Sequence, residues 1–274
     1  MKFVKQLLIG CVTLAAFCST SLAEEYRILI TNDDGVDNPG LIALATDLAK
    51  DYQIIISAPA INMSGNGHAV NLFKGPVRVD KRDDIGPFTA YAVHATPADA
   101  ARFGIVQMRH QGTPVDLVIS GINPGSNIGA LSHLSGTIGA AMEAQYYDTP
   151  AIALNLDRKA IKANGYGPAI TLVRKLIHNI RQNPLPKGVI LNANIPFNSK
   201  GILISPMGPS IIDVKVFRET PEGYQADITF LKPEGDKADN DVTGYQAGHT
   251  TLTPLKIDWT AREALDALNA WDLK

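Results

Sequence analysis

The chain has 274 residues and a formal net charge of −2 at neutral pH. It contains no long run of basic residues, which argues against a protein that coats a nucleic-acid polymer or an anionic membrane. A chain of this length is sufficient for one large α/β domain with a substantial buried core.

The N-terminal segment is typical of a signal peptide rather than of a folded domain. Lys2 and Lys5 supply a short positive region, and residues 7–17 form an apolar run that is too short to span a bilayer. Small residues at Ser21 and Ala23 match the positions that a signal peptidase reads. We therefore expect cleavage after Ala23, a periplasmic or secreted protein, and no stable membrane anchor. An uncleaved N-terminal anchor is the alternative.

Both cysteines of the chain, Cys11 and Cys18, lie within this N-terminal segment. Cleavage after Ala23 leaves a mature protein without a thiol, a disulfide or a cysteine-ligated metal. In that case the sequence excludes chemistry that needs a cysteine nucleophile.

Strand and helix patterns alternate from about residue 26. Near-continuous apolar runs predict buried strands at 26–31, 53–58, 115–120, 150–155 and 188–192, the last being the expected final strand of the core. Apolar spacing and capping residues predict helices that begin at Asn38-Pro39, at Thr96-Pro97, at about 136 and at about 168. A short hairpin is predicted at 76–79 and 88–93. These elements predict a Rossmann-like, three-layer α/β fold with a mostly parallel sheet.

The pattern becomes β-rich after about residue 201. Strands are predicted at 211–217, 224–230 and 250–257, a polar loop at 233–241 and a closing helix at 263–273. We expect one domain over 24–274, with a core at 24–200 and a β-rich C-terminal arm at 201–274.

Oxygen-bearing side chains follow three of the predicted core strands. Asp33 and Asp34 follow the first strand, Ser64 follows the second, and Asn123 follows the third. Loops at the carboxyl ends of parallel strands converge on one crevice, and these oxygens suit a hard cation such as Mg²⁺, Mn²⁺ or Ca²⁺. Asp-Asp-Gly alone is more typical of a turn, but the two matching loops favour a metal site.

A second feature lies in the loop after the third strand. Asn127 follows Gly125 in this loop, and Ser135-Gly136-Thr137 opens the next predicted helix. A helix N-terminus preceded by a glycine-rich loop can bind phosphate through its free N–H groups. An ordinary serine cap after a flexible loop explains the same residues equally well.

Other catalytic motifs do not fit the chain. It lacks a Walker A pattern, and Ser126 and Ser135 do not lie in a Gly-x-Ser-x-Gly turn. His68, His94 and His133 remain candidates for a general acid or base, although a lone histidine is more often structural.

Six blocks of the sequence, taken in order, resemble the SurE family. They are ILITNDDGVDNPG, SAP with Ser64-Gly65, HATPAD, VISGINPGSNIG, SGTIGAAMEA and PAIALN. The resemblance covers essentially the whole chain after residue 23, and an ordered series of blocks is more specific than any one of them.

The resemblance implies a set of site residues. Family members bind one divalent ion, here Mg²⁺ or Mn²⁺, through positions that correspond to Asp33, Asp34, Ser64 and Asn123. Phosphate is expected at the positions of Asn127, Ser135, Gly136 and Thr137. Thr96 and Asp99 of the HATPAD block flank this site. Met63 and Asn240 depart from the family pattern, which places substrate preference in doubt more than catalysis.

The resemblance also implies an activity and an assembly. Family members hydrolyse 5′- and 3′-nucleoside monophosphates, and they form homodimers or homotetramers through the C-terminal arm. Our mechanistic hypothesis is metal-assisted attack of water with Asp33 and Asp34 as the catalytic carboxylates, and an aspartyl-phosphate intermediate is a variant. The alternatives are an exported nucleotide- or ion-binding protein without turnover, and a hydrolase of another ester.

Overall fold

The computed structural model describes residues 25–232 and 237–272. The predicted signal peptide, residues 1–23, lies outside this part of the chain. None of the helices formed by the described residues is long and apolar enough to cross a bilayer.

Strands and helices alternate through the first two thirds of the chain. In chain order they are β1 (Arg27–Thr31), α1 (Pro39–Leu48), β2 (Gln53–Pro59), β3 (Val79–Lys81), β4 (Thr89–Val93), α2 (Pro97–His110), β5 (Leu117–Pro124), α3 (Gly136–Glu143), β6 (Ala151–Leu156), α4 (Arg158–Asn164), α5 (Gly167–Gln182) and β7 (Val189–Ile195). The C-terminal part adds β8 (Ile202–Ile204), β9 (Ile212–Thr220), β10 (Gly223–Phe230), α6 (Asp241–Gln246), β11 (Thr250–Lys256) and α7 (Leu265–Asn269).

Within the described residues, one nine-stranded sheet has the order β3-β4-β2-β1-β5-β6-β7-β11-β8. The strands from β4 through β7 run parallel, whereas β3 and β11 run antiparallel to their neighbours β4 and β7. The predicted α/β fold with a mostly parallel sheet is therefore confirmed. The chain turns to opposite sides of β1, first to β2 and later to β5, so the switch point of the sheet lies between β1 and β5.

Helices cover both faces of this sheet. Ile28 and Ile30 of β1 point to the face that packs against α1 and α5, and Leu29 points to the face that packs against α2 and α3. This alternation along a strand buried on both sides produces the near-continuous apolar run in the sequence.

Local capping explains where two of the helices begin. The side chain of Asn38 accepts hydrogen bonds from the first turn of α1, and Pro39 occupies the first helical position. Thr96 and Asp99 cap each other's backbone N–H groups at the start of α2. Both helix starts agree with the sequence predictions.

Three features differ from the predictions. The strand predicted at 188–192 is not the last of the main sheet, because β11 pairs with β7 and β8 pairs with β11. Helix α4 was not predicted. Asp241 was assigned to a polar loop, but it is fully buried and begins α6.

The remaining two strands, β9 and β10, form a separate antiparallel hairpin. It carries several exposed apolar side chains: Val214, Val216, Phe217, Tyr224, Ile228 and Phe230. The hairpin is the part of the predicted C-terminal arm that stands apart from the main sheet.

Candidate functional site

The predicted metal-binding aspartates lie at the switch point of the sheet. Asp33 and Asp34 follow β1 after one residue, Asn32, and the neighbouring strand β5 ends with Asn123 and Pro124. Open α/β sheets bind their ligands in the crevice at such a point. Gly35 closes the turn after the aspartates with a φ of +107°, a conformation that favours glycine.

Asp33 is held by the N-terminus of α3. Thr137 Oγ1 donates a hydrogen bond to Asp33 Oδ1 at 2.6 Å, and only 4% of Asp33 is exposed. A Cβ atom at Gly136 would lie 2.7 Å from Asp33 Cβ, so only glycine allows this approach. Burial raises the pKa of Asp33, and the hydrogen bonds from Thr137 oppose that rise. The helix N-terminus thus fixes the orientation of this carboxylate.

Asp34 has an oxygen that the rest of the protein does not satisfy. Its Oδ2 is buried and accepts no hydrogen bond from the described residues. Burial and the charge of Asp33 raise the pKa of Asp34 to about 6, while Arg158 opposes the rise. A buried carboxylate that repels its neighbour is costly unless a cation compensates it.

The loop that carries Ser64 reaches the same place. The backbone N–H of Met63 donates to the backbone oxygen of Asp33 at 2.7 Å, which holds the residue before Ser64 against the first aspartate. The backbone N–H of Ser64 is bound by Asn62 Oδ1 at 2.8 Å, and Ser64 itself is exposed. The structure therefore brings the second predicted strand-end loop to the end of β1.

The fourth predicted ligand, Asn123, is positioned by a buried asparagine. Asn123 Nδ2 donates to Asn155 Oδ1 at 3.2 Å, and Asn127 Nδ2 donates to the same oxygen at 2.7 Å. Asn155 in turn donates to Asn192 Oδ1 at 2.9 Å and to the backbone oxygen of Ala193 at 3.0 Å. Because both hydrogen atoms of its amide are used below the crevice, Asn155 presents only its oxygen to Asn123 and Asn127.

Sequence reasoning missed the lower part of this network. Asn155, Asn192 and Asn194 are fully buried, and the last two bind the backbone oxygen of Asn127 at 2.8 and 3.2 Å. Asn194 Oδ1 also accepts from the backbone N–H of Asn127 at 2.8 Å. A signal was present, because two asparagines separated by one residue interrupt the apolar run of β7.

The predicted phosphate-binding residues have structural partners of their own. Ser135 caps α3 by accepting from the N–H of Ile138 at 3.2 Å, and Thr137 is committed to Asp33. Asn127 is fixed by the asparagine network. Thr137 and Gly136 therefore lie against Asp33, and the role of all four residues toward phosphate stays a prediction.

The HATPAD block supports the site from the side of α2. Pro97 lies 3.0 Å from the position of a Cβ atom at Gly136. Asp99 Oδ2 accepts from the backbone N–H of Asn71 at 2.8 Å, which fastens the loop that follows β2. These contacts agree with the flanking role implied for Thr96 and Asp99.

The three candidate histidines have other partners. His68 Nε2 lies 2.6 Å from Glu143 Oε1, and His94 Nε2 lies 2.7 Å from Asp80 Oδ2. The ring of His133 packs edge-to-face on Trp259 with centroids 5.7 Å apart. Within the described chain, none of these contacts joins a histidine to Asp33 or Asp34.

Asp241 links the loop after β5 to the C-terminal part. Its carboxylate accepts from the backbone N–H of Gly129 at 3.0 and 3.1 Å and from that of Gly208 at 2.7 Å. Asn240 caps α6 by accepting from Val242 and Thr243. Asn240, one of the two residues that depart from the pattern of the resemblance, thus serves as an ordinary helix cap.

The set of donors in the crevice suits one hard divalent ion. Among residues 25–232 and 237–272, no cluster contains three or more His, Cys, Asp or Glu side chains able to hold a metal. The ligand set therefore depends on two carboxylates together with hydroxyl and amide oxygens, which is the chemistry that Mg²⁺ and Mn²⁺ accept. The fold and these donors together define an α/β protein with a crevice lined by carboxylate and amide oxygens at its switch point.

Comparison with known proteins agrees with this description. The family model described as "Survival protein SurE" matches residues 28–214, and the chain belongs to the SurE family. This finding confirms the resemblance drawn from the sequence blocks.

Individual relatives match along most of their length. A protein named "5′-nucleotidase SurE" from Desulfatibacillum aliphaticivorans is 33% identical over 261 residues, which cover 90% of this chain and 99% of the relative. A protein of the same name from Methanocella arvoryzae is 38% identical over 257 residues, which cover 87% and 94%. The crystal structure of the SurE protein from Aquifex aeolicus superposes with a TM-score of 0.75 at 27% identity, covering 89% of this chain and 98% of that one.

Proposed function

We propose that this SurE-family chain is a nucleotidase, a phosphoric monoester hydrolase that releases phosphate from nucleoside monophosphates with the help of one divalent ion. The observation that carries the proposal is the pair of the buried Asp33 and the partly buried Asp34, in which the buried Asp34 Oδ2 has no partner in the described chain. The names of the relatives support the nucleotidase activity. We further propose that both 5′- and 3′-nucleotides are substrates.

Four residues are proposed to hold the ion. Asp33, Asp34, Ser64 and Asn123 offer carboxylate, hydroxyl and amide oxygens, and Mg²⁺ or Mn²⁺ is the proposed ion. When bound, such an ion polarises phosphoryl oxygens and lowers the pKa of water, which are the two effects that phosphomonoester hydrolysis needs most.

The protein's own residues prepare this site in two ways. Thr137 and the N-terminus of α3 fix Asp33, so that Asp34 carries the oxygen still available for a ligand. Asn155 fixes the amides of Asn123 and Asn127 from below. The crevice is thereby organised before a ligand arrives, which lowers the cost of binding and orienting the substrate.

Two further proposals concern assembly and location. The exposed apolar side chains of the β9–β10 hairpin support a homodimer or homotetramer, because an isolated hairpin is only marginally stable in water. Export to the periplasm or the medium is proposed from residues 1–23 alone, which lie outside the described residues.

An exported binding protein without turnover is the alternative function. An assay of phosphate release distinguishes this function from a nucleotidase. The substrates are 5′- and 3′-nucleoside monophosphates, each assayed with Mg²⁺, with Mn²⁺ and with EDTA. The proteins are the unaltered chain, Asp34→Ala, and the control Asp37→Ala, which removes an exposed carboxylate three residues away. Metal-dependent release that is lost in Asp34→Ala and kept in the control supports the proposal. Nucleotide binding without phosphate release from folded protein favours the binding protein.

A further inference from the structure

Arg158 lies at the rim of the crevice, on an element that the sequence did not predict. It is the first residue of α4, directly after β6, so it projects from the carboxyl end of the sheet. Its Nε donates to the backbone oxygen of Pro124 at 3.0 Å, and Pro124 directly follows the proposed ligand Asn123. The same nitrogen lies 3.9 Å from the position of a Cβ atom at Gly125.

Among the described residues, no carboxylate pairs with the guanidinium of Arg158, in contrast to several other arginines. Arg82, Arg102 and Arg174 each donate to one or two acidic side chains at 2.6–3.1 Å. Within the described chain, the bond from Nε to Pro124 is the hydrogen bond that Arg158 makes. Its two terminal nitrogens therefore remain available to a ligand, while the hydrogen bond from Nε fixes the plane of the guanidinium.

Arg158 also lies close to the aspartates without pairing with them. It is near enough to oppose the rise in the pKa of Asp34, yet no ion pair joins the two side chains. The N-terminus of α3 contacts Asp33, whereas Arg158 contacts the end of β5 at Pro124.

We propose that Arg158 binds the phosphoryl group that is removed from the substrate, with its two terminal nitrogens on two phosphoryl oxygens. The planar guanidinium matches two oxygens of a phosphate in a way that a lysine ammonium does not. The position next to Asn123 and Asp34 places it at the reacting group rather than at the base. This inference rests on the proposed nucleotidase function and adds a substrate-binding residue to it.

The test compares Arg158→Ala and Arg158→Lys with the unaltered protein. Lys159→Ala is the matched control, since it removes a positive charge from the next, exposed position of α4. The substrates are 5′-AMP and p-nitrophenyl phosphate, which share only the phosphoryl group. Binding of inorganic phosphate in the presence of Mn²⁺ is measured separately by calorimetry.

We expect Arg158→Ala to lower kcat/KM for both substrates by the same factor, about 10- to 100-fold, as for loss of hydrogen bonds to a charged group. Affinity for inorganic phosphate falls by about 10-fold or more, and Mn²⁺ affinity stays within about two-fold. Arg158→Lys recovers only part of the loss, because it cannot bind in a bidentate manner. Lys159→Ala stays within about two-fold of the unaltered protein on both substrates.

Three results overturn the inference. A loss confined to 5′-AMP assigns Arg158 to the ribose or base. If the Arg158 variants bind phosphate normally but bind Mn²⁺ more weakly, Arg158 supports Asp34 rather than the substrate. If Lys159→Ala loses as much activity as Arg158→Ala, the effect comes from positive charge in general and not from a specific contact of Arg158. If the unaltered protein releases no phosphate from either substrate, the nucleotidase proposal fails, and phosphate calorimetry still decides whether Arg158 binds the anion.

Discussion

The crevice at the strand ends and the β9–β10 hairpin depart from the usual rule of burial in opposite directions. In the crevice, polar groups are buried: Asp33, Asn155, Asn192 and Asn194 are at most 4% exposed. In the hairpin, apolar groups are exposed, with Phe230 75% and Phe217 61% accessible. Buried polar groups and contiguous exposed apolar groups are the two informative exceptions in a folded protein.

Each region has groups without a partner, and the chemistry of those groups indicates which kind of partner would complete the region. The asparagines of the crevice find protein partners for their amides, whereas Asp34 Oδ2 is one of several buried oxygens without a partner in the described chain. Because it belongs to a carboxylate, a positive charge would compensate it. The hairpin satisfies its backbone through strand pairing but leaves its side chains in water, so it requires another apolar surface. We propose that an ion and a small molecule complete the crevice, and that another protein surface completes the hairpin.

The largest effect is expected from Asp34→Asn. This change keeps the shape of the side chain but removes the charge that an ion needs, so metal-dependent phosphate release falls by about 1000-fold or more. Steady-state release from 5′-AMP with saturating Mn²⁺ measures it, with Asp37→Asn as the control. Retained activity in Asp34→Asn removes Asp34 from the ligand set.

The second prediction concerns Asn155→Ala. The change leaves Asn123, Asn127 and Asn192 without their shared partner in a buried place, so the free energy of unfolding falls by about 2–4 kcal/mol. Urea denaturation followed by circular dichroism measures the change. Asn179→Ala is the control, because its exposed amide bonds only within its own helix. A loss no larger than that of the control contradicts the proposed support of the crevice.

Polar substitutions in the β9–β10 hairpin test the proposal that its exposed apolar side chains mediate self-association. Val214 and Ile228 face each other across the two strands and are 43% and 51% exposed. The double change Val214→Asp and Ile228→Asp is expected to weaken self-association by about 100-fold, since it places charge at the proposed contact. Sedimentation velocity over a dilution series measures it, and Val106→Asp on α2 is the control. A monomer at every concentration of the unaltered protein contradicts the assembly proposal.

The smallest effect is on the stability of the metal-free protein. Folding raises the pKa of Asp34 from 3.8 to about 6, so its ionisation disfavours the folded state, an effect absent below pH 4 and complete above about pH 6. Asp34→Asn removes that penalty and is expected to stabilise the protein in EDTA by about 1 kcal/mol at pH 7.5, reduced from the full shift because the group is partly exposed. Thermal unfolding at pH 7.5 and pH 4 measures it. No gain at the higher pH, or an equal gain at both, argues against a repelling carboxylate pair.

The parallel core was predictable because a strand buried on both faces produces a nearly continuous apolar run in the sequence. The runs that became β1, β2, β5, β6 and β7 are mainly apolar and are buried along most of their length. Helix α4 left no such mark, since Ala160 is its only fully buried residue among seven. The place of β11 in the main sheet was not predictable from local pattern, because pairing with β7 is a long-range contact.

Some residues of the candidate site were likewise predictable from the sequence, and others were not. The aspartates, Ser64 and Asn123 follow strand ends, and the parallel fold alone brings strand ends together. The position of Arg158 depends on α4 and on a hydrogen bond to Pro124, neither of which has a sequence signature. The asparagine network had a signal in the polar interruptions of β6 and β7, but its pairing depends on the register of those strands.

Calorimetric titration of Mn²⁺ into metal-free protein tests most directly whether the aspartate pair is a metal site. The account predicts one ion bound per chain in the unaltered protein and in Asp37→Asn, and no measurable binding in Asp34→Asn. An absence of binding to the unaltered protein, or equal binding to Asp34→Asn, would contradict it.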